Sequence, residues 1–336
     1  MKHVFLVNPV AGKGKATTEL LPSIIKTLSK NDVDYIIHRT INVGDAFKYV
    51  KNLCESNPDE EMRFYSCGGD GTMNEVLNGM YGYKNVQLAV VPAGTGNDFV
   101  RNFGDIKKFK DIDSQINGVV SPIDIMKYQL LDPSGEENIP ASGYALNMFN
   151  TGFDAEVVKK TAEIKGAVIK GTLAYIAGVG IVLKRLKKVD MAVEIDGEEV
   201  YSGEFLMAGI ANGRFSGGGF DGMPLAILDD GKIDAFLVKS ITRRAFLGLV
   251  KKYHDGTHLD EPKLKDIFLH YSCEEAIFRP KENITIAVDG ETSEVGAIKF
   301  SVIPNAIQFS VPKEIAEKNA EDNSEEGIIE REIEID

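Results

Sequence analysis

Twice between residues 63 and 99, an apolar run breaks into a glycine-rich turn that carries a carboxylate, and a helical pattern follows. Arg63-Phe64-Tyr65-Ser66 reads as a short strand. It leads into Cys67-Gly68-Gly69-Asp70-Gly71-Thr72, and then Met73-Asn74-Glu75-Val76-Leu77-Asn78-Gly79 takes helical spacing. Val86 to Pro92 has the pattern of a buried strand, and Ala93-Gly94-Thr95-Gly96-Asn97-Asp98-Phe99 follows it. Neighbouring strands that each turn into a helix run parallel, so both turns fall at the carboxyl edge of one sheet, where open α/β sheets bind ligands. Thr72 and Glu75 have the Thr-x-x-Glu spacing of a capping box, which predicts a helix starting at Thr72.

Glycines let backbone amides approach a ligand closely, and a helix N-terminus adds unpaired N–H groups and a positive dipole end. These features make an anion site suited to phosphate. Asp70 stands inside it, where its charge would repel phosphate unless a divalent cation or water lies between. The pairing of glycines with one carboxylate therefore points to a metal–nucleotide site. A lone Gly-Asp-Gly would read as a tight turn with a solvated Asp; the strand–turn–helix context argues against that.

Residues 3–9 read as the first strand, ended by Asn8-Pro9, and Ala11-Gly12-Lys13-Gly14-Lys15 leads to a helix near 17–30. That loop lacks the spacing of a Walker A loop. Asn8 is as readily a strand-end cap as a nucleotide contact. Val33 to His38 predicts a second strand and Gly44 to Glu55 a helix. Alternation up to about residue 124 means a parallel sheet covered on both faces. After Ser121-Pro122-Ile123-Asp124 the period changes to two. Met191 to Ile195, Phe205 to Ala211, Ile233 to Val238, Ile284 to Val288 and Ala297 to Ile303 read as strands of a mostly antiparallel domain, and Asp196-Gly197 is a hairpin signal. Ile307 to Val311 reads as a separate final strand.

The chain's 336 residues suit about two domains. No secretory signal is read at the N-terminus, and no apolar stretch reaches the ~18 residues of a membrane span. Cys54, Cys67 and Cys273 lack metal or redox spacing and read as buried thiols of a reducing cytosol. The net charge is −13. Residues 313–336 hold ten acids against three bases, a net of −7 that leaves the body at −6, so free nucleic acid is not an expected partner. That tail reads as disordered or loosely helical. Residues 159–188 instead gather Lys159, Lys160, Lys165, Lys170, Lys184, Arg185, Lys187 and Lys188 around an apolar run from Leu173 to Leu183. Such a segment can lie on an anionic membrane surface, or it is a core helix with a solvated basic end. His254 and His258 are four apart, but Gly256 between them favours a turn over a metal site.

Six stretches in order resemble the diacylglycerol kinase catalytic family, in its soluble bacterial lipid kinase branch. They are Asn8-Pro9-x-x-Gly12; Gly68-Gly69-Asp70-Gly71-Thr72 with Asn74-Glu75; Pro92-x-Gly94-Thr95-Gly96-Asn97-Asp98-Phe99; Asn212-Gly213-Arg214 with Gly217-Gly218-Gly219; Pro224-x-Ala226 with Asp229-Asp230-Gly231; and Asp289-Gly290-Glu291. The resemblance covers about residues 1–312. It implies an α/β plus β fold: a doubly wound parallel-sheet nucleotide-binding domain, shared in type with NAD kinases, over 1–124 with 304–312 returning, and an antiparallel β-sandwich lipid-substrate domain over 125–303. The active site would lie in the cleft between them.

By the same resemblance, ATP is the co-substrate and Mg²⁺ the metal. Asn8, Thr40, Asn74, Asn97 and the turns at 68–72 and 94–96, including Thr72 and Thr95, would contact nucleotide. Asp70 and Asp98 would hold Mg²⁺, and Glu291 would be the base. Asp230 with the carbonyls of Ile227 and Lys232 would hold a structural Mg²⁺; Lys232 departs from the apolar residue often found there. The implied reaction moves the γ-phosphate of ATP to a primary hydroxyl of a membrane lipid, with diacylglycerol the expected acceptor. Phosphatidylglycerol or a sphingoid base is the alternative acceptor. NAD kinase shares the Gly-Gly-Asp-Gly-Thr element, but Gly94 to Phe99 argues against it, and the three carboxylates argue against a nucleotide-binding regulator without turnover. The implied place is the cytoplasm, peripheral at the inner face of the membrane, and the resemblance leaves room for a homodimer.

Overall fold

Strand β1 (Lys2–Val7) is buried from Val4 to Val7 because it has a neighbour on each side and helices over both faces. It pairs in parallel with β2 (Tyr35–Arg39) and β3 (Met62–Cys67), and β3 pairs in parallel with β4 (Val86–Val90). On the far side of β4, Gln308 to Ser310 add a further parallel strand. These strands are interleaved with helices α1 (Leu21–Leu28), α2 (Asp45–Ser56), α3 (Asp70–Met80) and α4 (Ile112–Ile116). The result is the doubly wound α/β arrangement predicted. In this computed structural model, residues 1–131, 137–153, 155–157, 159–160, 188–288 and 291–317 are described.

One face of the parallel sheet packs Phe5, Val7, Tyr65, Cys67 and Ala89 against Ile24, Leu28, Ile112 and Ile116. On another side α2 and α3 approach so closely that a Cβ at Gly79 would sit 2.7 Å from the Phe47 carbonyl oxygen. Arg63, 4% exposed, donates from its guanidinium to the Gln115, Ile116 and Gly118 carbonyls, which satisfies the C-terminal end of α4. The stretch before α1 is helical from earlier than predicted: a 3₁₀ turn over Ala11–Gly14, with Gly12 and Lys13 left-handed, then a π turn over Ala16–Leu20.

The chain divides into two compact units. The first holds Met1–Gly94, Phe103–Pro122 and Gln308 onward; the second holds Thr95–Asn102 and Ile123–Ile307. The strands after β4 are β5 (Val119–Leu131), β6 (Glu137–Ala145), β7 (Met148–Gly152), β8 (Val189–Ile195), β9 (Glu198–Ala211) and the short pair β10 (Phe215–Ser216) and β11 (Phe220–Asp221). Then come β12 (Ile233–Lys239), helix α5 (Arg243–His254), β13 (Phe268–Cys273), β14 (Glu275–Pro280), β15 (Ile284–Val288), β16 (Glu291–Val295) and β17 (Ile298–Val311). Within the second unit β9 is the hub, antiparallel to β7, β8 and β12. Phe149, Met191, Val193, Phe205, Ile210, Leu237, Phe278 and Phe300 fill the core of this antiparallel sandwich.

The Asp196-Gly197 hairpin forms between β8 and β9 with both residues left-handed. The separate strands predicted at Ala297–Ile303 and Ile307–Val311 are one strand, β17. Its left-handed Asn305 (φ 51°) is absorbed within the strand, because its N–H is taken by a side chain instead of ending the ladder. All three cysteines are buried and free. Burial pushes Cys54 and Cys273 up to about 12, and Cys67 higher still, so none is a nucleophile at neutral pH. Among the described residues no helix is long and apolar enough to cross a membrane. Most of the basic segment 159–188 and the tail from residue 318 lie outside the described residues. At the segment's described ends, Lys159 is ion-paired with Glu294 at 3.0 Å and Lys188 with Glu204 at 2.6 Å.

Candidate active site

Three strand ends of the first unit converge. The Asn8 N–H donates to the Cys67 carbonyl at 3.0 Å, and Asn8 Nδ2 donates to Thr72 Oγ1 at 3.0 Å. The Gly68 carbonyl accepts from the N–H groups of Ala93 and Gly94, at 2.8 and 3.0 Å. The loops after β1, β3 and β4 are thereby knitted into one surface at the carboxyl edge. Two close approaches require glycine: a Cβ at Gly68 would lie 2.3 Å from Thr72 Oγ1, and one at Gly12 would lie 2.8 Å from the Ala93 carbonyl oxygen. Thr40 joins through its N–H, which donates to the Val7 carbonyl at 3.0 Å. The structure thus brings together Asn8, Thr40, Gly68, Gly69, Asp70, Gly71, Thr72 and Gly94, with Asn74 one turn along α3.

The capping box does not form. Helix α3 starts at Asp70 behind Gly69, and no side chain caps it. Thr72 Oγ1 is occupied by Asn8, and the Glu75 carboxylate reaches across to the start of α2. The first amides of α3 are therefore not closed off by a Thr72 cap, and Asp70 occupies the first position of its positive end.

Thr95, Gly96, Asn97 and Asp98 belong to the second unit, and Asn97 is left-handed (φ 53°). Asp98 is 9% exposed, and both its oxygens accept from the Gly218 N–H, at 3.1 and 3.0 Å. Arg101 lies 3.3 Å from the same carboxylate and donates to the Gly96 carbonyl. Burial pushes the Asp98 carboxyl above the usual carboxylate range, against the pull of Gly218 and Arg101. Gly217, Gly218 and Gly219 are all left-handed, so Asp98 clasps a segment that other residues would strain.

In the same unit the Ile227–Lys232 turn is organised by Asp124. This fully buried carboxylate accepts from the N–H groups of Gly231 and Asn305, each at 2.7 Å. The Asp124 N–H donates to the Leu228 carbonyl, and its own carbonyl accepts from Asn212 Nδ2. Asp230 Oδ1 accepts from the Lys232 N–H at 3.0 Å. The Lys232 ammonium is drawn away to Glu274 at 2.9 Å, which leaves the Asp230 charge without that lysine as a competing cation. Among the described residues no three His, Cys, Asp or Glu side chains cluster as a metal site. A cation at this turn would need backbone carbonyls beside Asp230, the donor set predicted. Asp289, Gly290 and the Glu291 side chain lie outside what the structure describes; the Glu291 backbone opens β16 opposite Val288.

Residues 2–128 match the diacylglycerol kinase catalytic domain, and residues 147–311 match the YegS C-terminal NAD kinase beta sandwich-like domain. The chain thus joins a diacylglycerol kinase catalytic domain to a YegS-type β-sandwich domain. A relative from Alcanivorax borkumensis, named a probable YegS-like lipid kinase, is 25% identical over 80% of this chain and 84% of its own. A Staphylococcus aureus relative, named provisionally as a lipid kinase, is 28% identical over 92% of this chain and 94% of its own. A Bacillus anthracis structure described as a diacylglycerol kinase superposes with a TM-score of 0.67 at 23% identity, covering 94% of this chain and 98% of that one. At that identity the likeness establishes the fold. These two domain matches support a lipid kinase, with ATP as the implied co-substrate. Two structural residues lay outside the expectations drawn from the sequence. Asp124 looked like a domain boundary, although a lone carboxylate between Ile123 and Ile125 was a signal. Arg101 carried none.

Proposed function

We propose that the chain is a diacylglycerol kinase that transfers the γ-phosphate of ATP to the lipid's primary hydroxyl. The observation that carries this reading is the convergence of the loops after β1, β3 and β4 on the start of α3, with Asp70 in its first turn. That surface offers backbone N–H groups and one carboxylate, the combination a metal–triphosphate needs. The acceptor oxygen forms a bond to the γ-phosphorus as the bond to the β–γ bridging oxygen breaks. ADP leaves, and Glu291 takes the hydroxyl proton. Asp70 would hold Mg²⁺, which neutralises charge on the phosphates. Asp98, engaged by Gly218 and Arg101, holds the 217–219 segment, so any ion contact it makes is shared with that duty. Asp230 and the Ile227 and Lys232 carbonyls would hold the structural ion. The acceptor keeps its acyl chains in the bilayer, so the enzyme works at the membrane surface. Labelled ATP offered with diacylglycerol, phosphatidylglycerol, a sphingoid base and NAD tests the reading directly. Label in phosphatidic acid is the expected product, and label in NADP alone would overturn it.

Two further outcomes follow from these assignments. Glu291→Gln is expected to lower kcat by roughly 10²–10⁴-fold with little change in ATP affinity, because proton acceptance belongs to the transition state. Steady-state kinetics alongside ATP titration measure this. A changed KM for ATP at constant kcat would place Glu291 in nucleotide binding instead. For the Asp230 turn, wild-type melting is expected to rise with added Mg²⁺, and Asp230→Ala is expected to melt lower and lose that response. Melting curves identical with and without Mg²⁺ in both proteins would remove the ion.

A further inference from the structure

Glu75 spends its whole carboxylate on a segment far from it in sequence. Its Oε1 accepts from the Gly44 N–H at 2.8 Å and its Oε2 from the Ala46 N–H at 3.1 Å. The segment is fixed at two more points. The Thr40 N–H is held by the Val7 carbonyl, and Asp45 Oδ2 accepts from the Ile41 N–H at 3.1 Å while bonding His38 Nε2 at 2.8 Å. Between these ties Ile41 and Val43 stand 82% and 87% exposed. Large aliphatic side chains on a backbone this firmly held contribute little to packing. They form an apolar rim after β2, at the carboxyl edge of the sheet that ends in the glycine turns. Such a rim suits the face of a purine ring, whose burial is favourable.

We propose that Glu75 is a positioning residue for ATP, fastening the 40–46 segment to the helix whose first turn carries Asp70. This rests on the nucleotide reading above. One helix then sets both the phosphate turn and, through Glu75, the rim formed by Ile41 and Val43. The base lies away from the reacting phosphorus and binds alike in the ground and transition states, so loss of the tie acts on nucleotide affinity more than on turnover.

The test compares wild type, Glu75→Ala, Glu75→Gln and Gly79→Ala. The last variant crowds α2 against α3 at the Phe47 carbonyl without touching the Glu75 carboxylate, and so reports what general loosening of the helix pair does. KM for ATP, KM for lipid, kcat, melting temperature and calorimetric ADP affinity are measured on each. Glu75→Ala is expected to raise KM for ATP and weaken ADP binding roughly tenfold, the cost of losing charge-assisted hydrogen bonds, with kcat and lipid KM nearly unchanged. Glu75→Gln, which keeps one acceptor oxygen, is expected to fall between. Gly79→Ala is expected to melt lower with ATP affinity intact. An unchanged ATP KM in folded Glu75→Ala overturns the proposal. So does an equal rise in Gly79→Ala, which would make the effect structural, or a rise confined to the KM for lipid, which would assign the rim to lipid. A wild type that binds neither ATP nor ADP would sink the nucleotide reading itself and this one with it.

Discussion

Asp70→Asn is expected to abolish most phosphoryl transfer, by about 10²-fold or more in kcat, while the protein melts like wild type. Asparagine has the shape of aspartate and suits the start of a helix, so α3 should begin where it does now behind Gly69. What it lacks is the negative charge that would hold a divalent cation beside the phosphates. The Gly68 contacts to Ala93 and Gly94 are between backbone groups and survive the change. Nucleotide binding without metal should therefore persist, while the Mg²⁺ dependence of turnover weakens. Labelled ATP with diacylglycerol vesicles, titrated with Mg²⁺, gives the measurement. Near-normal kcat in a folded Asp70→Asn protein would rule out this turn as the metal–phosphate site.

The second large effect is on stability. Asp124→Ala is expected to cost about 3 kcal/mol or more, because it leaves the Gly231 and Asn305 N–H groups without their acceptor at a fully buried position. For a protein of 336 residues that is a fall of roughly 4 °C or more in Tm. Asp124→Asn keeps one acceptor oxygen and should recover part of the loss. Calorimetry on the three proteins decides it; a Tm for Asp124→Ala near that of wild type would show that the turn holds without its carboxylate.

What the sequence disclosed followed the range of each signal. Period and glycine turns are local, so the parallel sheet, the antiparallel unit and the Asp196-Gly197 hairpin were all legible. Pairing partners are not local. Glu75 has the spacing to cap its own helix, yet the α2 amides lie within reach and win it. Nothing within four residues of Glu75 reveals that competition. The split predicted in β17 has the same origin, since Pro304-Asn305 is a turn signal that only Asp124, distant in sequence, can overrule. Of the candidate site, Asn8, Gly68 to Thr72 and Gly94 are brought together as strand-end logic requires. The employment of Asp98 by Gly218 depended on a contact between residues 120 apart.

Strand β4 gains its outer neighbour from Gln308 to Ser310, near the end of the described chain. On a ribosome these partners emerge at different times. At ~5–20 residues per second, the roughly two hundred residues between them take on the order of 10–40 s to make. Through that interval β4 has an open edge, and an open apolar edge is a template for pairing with other chains. The second unit, contained within one stretch from Ile123 to Ile307 apart from Thr95–Asn102, can fold first. The nucleotide-binding sheet is then the last part of the protein to close, and slow or paused translation late in the message would fall most heavily on it.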